Sequence, residues 1–240
     1  MAATEAGLTP LTVNGIPTWV GGKVGDPAVI VIQEWWGITD TVKGQASRIA
    51  KAGYRVLIPD IYKGKLGVDV EEAHHLMSNL DFPQAISEIS EAAAHLKTEG
   101  APKVGVTGFC MGGALTMGAL AASEDLVAGA PFYGLNFGLF QASALVGKPV
   151  QGHFGAEDKM EGFADPATGK KLEAELKAAG NTQAETFIYE RVGHAFMNEA
   201  PWPWKTFEAR QAEMGIPPYD KDQAELAWSR LLDFFAKHLR

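Results

Sequence analysis

GVTGFCMGGAL, residues Gly105 to Leu115, decides how the rest of the chain is read. A β-forming run, KVGV, leads into it and a helix-forming run, ALTMGALAA, follows. Gly108 and Gly112 stand two residues before and two after Cys110. In a strand-turn-helix setting, Gly-x-Ser-x-Gly presents a nucleophile at the tip of a strained turn, and the glycines remove side chains that would collide across it. Here the middle residue is cysteine, the only one in 240 residues. Gly113 lets the helix approach the sheet closely. The Met111 N–H is expected to point where an oxyanion would form, and the positive end of the helix favours a thiolate. The competing reading makes Cys110 a small buried hydrophobe in a glycine-rich turn.

Outward from this junction, strands and helices alternate. AVIVIQ (28–33) and YRVLIPD (54–60) read as buried strands, followed by strand signals in KVGVTGF, LVAGAPFYG, PVQGHF and ETFIYE. Helices are expected over about 40–52, 69–78, 82–98, 110–122, 166–180 and 220–239, with Asp40 as an N-cap and Gly53 and Gly180 as stops. LTVNGIPTWV carries Asn14-Gly15 between apolar runs, a hairpin signal. The fold class is α/β: a mostly parallel central sheet with helices on both faces and an N-terminal hairpin, in one domain over 1–240. The Pro- and Trp-rich stretch 198–219 is expected to pack on the surface near the site.

In such folds chemistry sits beyond the carboxyl ends of the strands. This reading puts Glu34, Cys110, Asp158 and His194 there, with nucleophile, acid and histidine in that chain order. His194, in YERVGHAF, can reach over the sheet edge. Asp158, in GAEDK, would hold the imidazole's orientation and tautomer. Glu157 is its direct rival. His153 reads as structural, and His74, His75, His95 and His238 as solvated or interfacial.

Composition narrows the class further. With 29 Asp and Glu against 21 Lys and Arg, the net charge is -8, and no nucleic-acid or membrane partner is implied. A single cysteine forbids an intrachain disulfide. MAATEAGLTP has no basic n-region, apolar core or arginine, so no secretory or transit peptide is expected and a cytoplasmic location is. No metal-ligand spacing or dinucleotide loop is visible, and no cofactor is expected.

The pieces QEWWG, YRVLIPDIY, GVTGFCMGG, PFYG, GAEDK and GHAF together resemble the dienelactone hydrolase family, from about Ala28 to Leu239. AWSRLLDFF resembles the family's last helix. The resemblance implies an α/β-hydrolase fold and a cysteine nucleophile acting on a small ester or lactone. It also implies that Glu34 meets the thiol, and that the Trp35 backbone N–H joins Met111 in the oxyanion hole. Glu34 could instead cap the following helix. The family's substrate-binding arginines are not matched: the stretch after His194 reads Ala195-Phe196-Met197-Asn198, EEAHHLMSN holds no arginine, and Arg191 and Arg210 stand elsewhere. Trp36, Tyr133 and Phe196 are candidate pocket residues. The reading that follows is a hydrolase of activated esters or enol lactones, monomeric or weakly dimeric. Its rivals are a non-catalytic small-molecule-binding protein on a hydrolase scaffold and a thiol redox sensor.

Overall fold

Strand β3 (Ala28–Ile32) is buried at all five positions, and its residues divide by parity. Ala28, Ile30 and Ile32 join one apolar cluster, Val29 and Val31 another. A strand that is apolar throughout needs cover on both faces, and the computed structural model, which describes residues 7–240, supplies it. Met1 to Ala6, on which much of the leader-peptide expectation rests, lie outside the described residues.

The sheet has eight strands in the order β1-β2-β4-β3-β5-β6-β7-β8. β1 (Thr9–Val13) and β2 (Ile16–Gly21) form the expected hairpin, with Asn14 and Gly15 both at positive φ, as a tight two-residue turn requires. β2 pairs antiparallel with β4 (Arg55–Pro59). The remaining pairings, through β5 (Val104–Phe109), β6 (Leu126–Phe132), β7 (Val150–Gly155) and β8 (Ala184–Tyr189), are parallel.

Helices α3 (Phe82–Thr98), α4 (Met111–Ala122) and α5 (Pro166–Ala178) bury Ile89, Leu115 and Leu172 in the first cluster. Helices α1 (Asp40–Lys51) and α7 (Lys221–Leu239) bury Ile49 and Trp228 in the second. From β3 the chain steps to β4 on one side, then crosses to β5 on the other. The crevice at that switch lies beyond the carboxyl ends of β3 and β5. Helix α2 (Val70–Ser78) starts as expected near Asp69, whose side chain accepts the Glu72 N–H.

Two local readings need correction. Helix α1 has Thr39 at its N-cap, and Asp40 is its first residue. Within 198–219, where no helix was expected, lies helix α6 (Phe207–Met214). Its signals were Thr206, which accepts the Ala209 N–H, and Gly215, which ends it in the left-handed conformation.

The elbow is packed backbone on backbone. A Cβ at Gly108 would lie 2.2 Å from the Gly112 carbonyl oxygen, one at Gly112 2.5 Å from that of Ile32, and one at Gly134 1.9 Å from that of Cys110. Beneath it, His153 on β7 is fully buried and stacks on Phe132 with ring centroids 4.1 Å apart. Its Nδ1 pairs with the Tyr189 hydroxyl at 2.8 Å, and burial holds its pKa well below the usual histidine value.

Two stability outcomes are expected. Gly134→Ala, which must displace the Cys110 carbonyl, is expected to cost about 3 kcal/mol in chemical denaturation. Gly44→Ala, mid-helix with open space around it, should instead gain about 0.5–1 kcal/mol. A depressed histidine pKa means that the unfolded chain binds the proton more readily. The His153 contribution is therefore full above pH ~6.5 and lost as pH falls, by up to about 2 kcal/mol at pH 5. Relative to wild type, His153→Phe is expected to gain ground between pH 7 and 5; a pH-independent difference in unfolding free energy would contradict this.

Candidate active site

Cys110 has φ 56° and ψ −119°. For a residue with a Cβ this region costs about 1–3 kcal/mol and persists only where the surroundings impose it. Here they do: the Cys110 N–H donates to Phe132 O at 3.0 Å, and Gly113 N–H donates to Cys110 O at 2.9 Å. The result places the thiol at the boundary between β5 and α4, 7% exposed, in the wall of a cavity of about 440 Å³. A cysteine that merely filled space would need no such backbone.

The loops after β7 and β8 bring Asp158 and His194 to the same cavity. Asp158 Oδ2 accepts from His194 Nδ1 at 2.8 Å, and its other oxygen accepts the Met160 N–H at 3.0 Å. Asp158 is buried while Glu157, its rival, is exposed. With Nδ1 engaged, Nε2 is the free ring nitrogen; it is buried and has no hydrogen-bond partner. Burial pulls the imidazole pKa down, but the Cys110 sulfur and the Asp158 carboxylate outweigh it and hold the pKa well above the usual value.

Glu34 follows β3 and is 6% exposed. It caps no helix. Its Oε1 accepts from the Tyr133 hydroxyl at 3.3 Å and its Oε2 from Asn198 Nδ2 at 2.9 Å. Asn198 is held in turn by Gln45, whose Nε2 donates to Asn198 Oδ1 at 3.3 Å. Burial raises the Glu34 pKa, against the opposing pull of Asn198, His194 and Arg210. Both carboxylate oxygens are thus occupied, and Glu34 makes no hydrogen bond to the thiol. The backbone N–H groups of Met111 and Trp35 have no acceptor among the described residues.

The sequence reading missed Asn198 and Arg210. Arg210, on α6, is 2% exposed, donates to Pro217 O at 2.8 Å and stacks on Phe207. Its Nε has no partner, and the residue lines the cavity. Its spacing from His194 gave no hint, because α6 lies outside the alternating strand-helix pattern and meets the cavity from a separate stretch of chain. Arg191 is instead exposed and pairs with Asp220. Trp35 and Trp36 line the cavity, with Trp204 edge-on against Trp36. Tyr133 and Phe196, expected in the wall, are corrected to a layer beneath it: both are buried and pack on each other at 5.4 Å. From there Tyr133 still touches the site, through its hydroxyl on Glu34 and through its ring, which meets the His194 imidazole edge-on with centroids 5.2 Å apart.

Comparison with known proteins bears on the family and the fold. A candidate carboxymethylenebutenolidase of Methylorubrum extorquens is 28% identical over 231 residues, 88% of this chain and 72% of that protein. Protein usf of Aquifex pyrophilus is 29% identical, covering 90% of each. Among solved structures, a candidate dienelactone hydrolase from Klebsiella pneumoniae superposes with a TM-score of 0.76 at 23% identity, over 96% of this chain and 98% of that one. At that identity the likeness speaks for the fold. The sequence model of the dienelactone hydrolase family matches residues 12–239, a span that takes in every strand-end loop described above. The chain therefore belongs to the dienelactone hydrolase family and is a carboxylic ester hydrolase with an α/β-hydrolase fold.

Proposed function

We propose that the protein hydrolyses activated carboxylic esters and enol lactones through Cys110, His194 and Asp158, by way of a thioester acyl-enzyme. The observation that carries this reading is the positive-φ cysteine facing the same cavity as an imidazole already oriented by a buried carboxylate. His194 takes the thiol proton, and the sulfur adds to the carbonyl carbon. The Met111 and Trp35 N–H groups receive the oxyanion. The intermediate collapses, the C–O bond breaks, and the leaving oxygen takes the proton from His194 Nε2. Water then attacks the thioester as His194 accepts its proton; the C–S bond breaks and the proton returns to sulfur.

The charge balance favours this order. The sulfur is the foremost influence raising the imidazole pKa. Acylation removes that charge, burial then favours the neutral ring, and His194 becomes a base when water must be activated. Glu34, held by Tyr133 and Asn198, can serve as a second acceptor for the thiol proton once those bonds open. The thiol also selects substrates. Thiolate leaves more readily than an amine or plain alkoxide, so intermediates with poor leaving groups revert. Aryl esters, enol esters and activated lactones avoid this; amides do not.

Brief exposure to p-nitrophenyl acetate followed by intact-protein mass spectrometry tests the scheme. His194→Ala is expected to retain an acetyl group that maps to Cys110. Cys110→Ala is expected to carry none and to lose turnover by on the order of 10³-fold or more. No adduct and no p-nitrophenol release from any form would favour a binding protein on a hydrolase scaffold. Independently, NMR titration of His194 should show its pKa fall in Cys110→Ala and in Asp158→Asn. An unchanged value would mean that the two side chains do not set it.

A further inference from the structure

An ester brings two substituents to the site: the acyl residue that stays on sulfur, and the alkoxy group that leaves. The cavity holding Cys110 and His194 contains the imidazole that would protonate the leaving oxygen. Its walls carry Trp35, Trp36 and Trp204, and Met160, Trp202 and Met214 stand exposed at its rim.

A second hollow of about 420 Å³ adjoins it and shares Met77 and Phe163 with it. Neither Cys110 nor His194 lines this hollow, but Met111, the residue after the nucleophile, does. The rest of its wall is largely apolar, with Phe82, Ala114, Leu135 and Phe137. Its one polar side chain, Asn136, is already engaged by the Gly138 N–H at 2.9 Å. The hollow thus has the residue after Cys110 in its wall and no catalytic side chain, while Phe163, shared with the first cavity, packs on the His194 ring with centroids 6.2 Å apart. Phe82 and Phe137 are only half-buried there, so apolar surface remains open beside a reacting carbonyl.

We infer that the second hollow is an acyl subsite, and that the enzyme takes open-chain esters with an apolar alkyl or aryl acyl group. This rests on the Cys110 acyl-enzyme reading. In a small lactone the acyl carbon and the leaving oxygen share one ring, so both must lie in the first cavity and the second gains nothing. An open-chain ester fills both: the alcohol portion lies among the tryptophans, and the acyl chain passes Met77 and Phe163.

The test compares p-nitrophenyl acetate, butyrate, hexanoate and octanoate, which share a leaving group and differ only in the acyl part. Wild-type kcat/KM is expected to rise by up to about fourfold per methylene while the chain is being buried. Met77→Trp, which narrows the junction, and Phe137→Ser, which makes the wall polar, are each expected to lower the hexanoate-to-acetate ratio at least tenfold. Ratios within one variant cancel losses of folded protein. Cys110→Ala is run alongside. If turnover depends on Cys110 but the wild-type series is flat, or if neither variant changes the ratio, the acyl subsite is overturned and the triad stands. If Cys110→Ala hydrolyses acetate like wild type, both fall.

Discussion

The backbone of Cys110 cannot relax, and the rest of the site follows from that. Its carbonyl lies where a Cβ of Gly134 would be, 1.9 Å away, and Gly112 sits equally hard against the end of β3. Three strand ends and one helix start therefore share a volume that admits only backbone. The positive φ at Cys110 is the way the chain turns within it, and it leaves the thiol facing the cavity. The same crowding bends the next strand end: Tyr133 is also at positive φ, which sends its ring under the site and its hydroxyl to Glu34. Strain at Cys110 and support for the Glu34 carboxylate are two results of one packing constraint.

Around this point the molecule buries more charge than a core would normally hold. Glu34, Asp158 and Arg210 are all less than a tenth exposed. A buried charge is tolerable when partners answer it, and most are answered: Asp158 by His194, Glu34 by Tyr133 and Asn198. Among the buried groups left without hydrogen bonds are His194 Nε2 and Arg210 Nε, and both residues line the cavity. Polar capacity has been left open on the side where a substrate would lie.

The residues between 198 and 219 supply much of the cavity wall, among them Asn198, Trp202, Trp204 and Arg210. Asn198 stands in the stretch where the family's arginine is expected, and it holds Glu34 by a neutral amide. A guanidinium arrives from another direction, on α6. The neighbouring tryptophans make the wall apolar, while the elbow and the acid–histidine pair are set by the sheet below. Cys110, Asp158 and His194 are thus set by strand ends, while much of the first cavity's remaining wall comes from a late loop and short helix.

The α/β architecture was legible because its causes are local and repeated. β3 is apolar at every position, the hairpin carries Asn14-Gly15, and the glycines around Cys110 mark a turn that excludes side chains. That Cys110, Asp158 and His194 would meet could be read because each follows a strand, and parallel strands deliver their ends to one edge. The burial of Asp158 beside an exposed Glu157 was only a preference until β7 and β8 were paired. Three further matters were settled only by the tertiary structure. Arg210 reaches the cavity on α6, a helix outside the alternating strand-helix pattern. Tyr133 and Phe196 sink below the wall because their bulk is needed in the core. Asn198 meets Glu34 across 164 positions of chain. Periodicity and turn chemistry act between neighbours and can be read in order; a contact between distant loops depends on how the whole sheet brings its ends together.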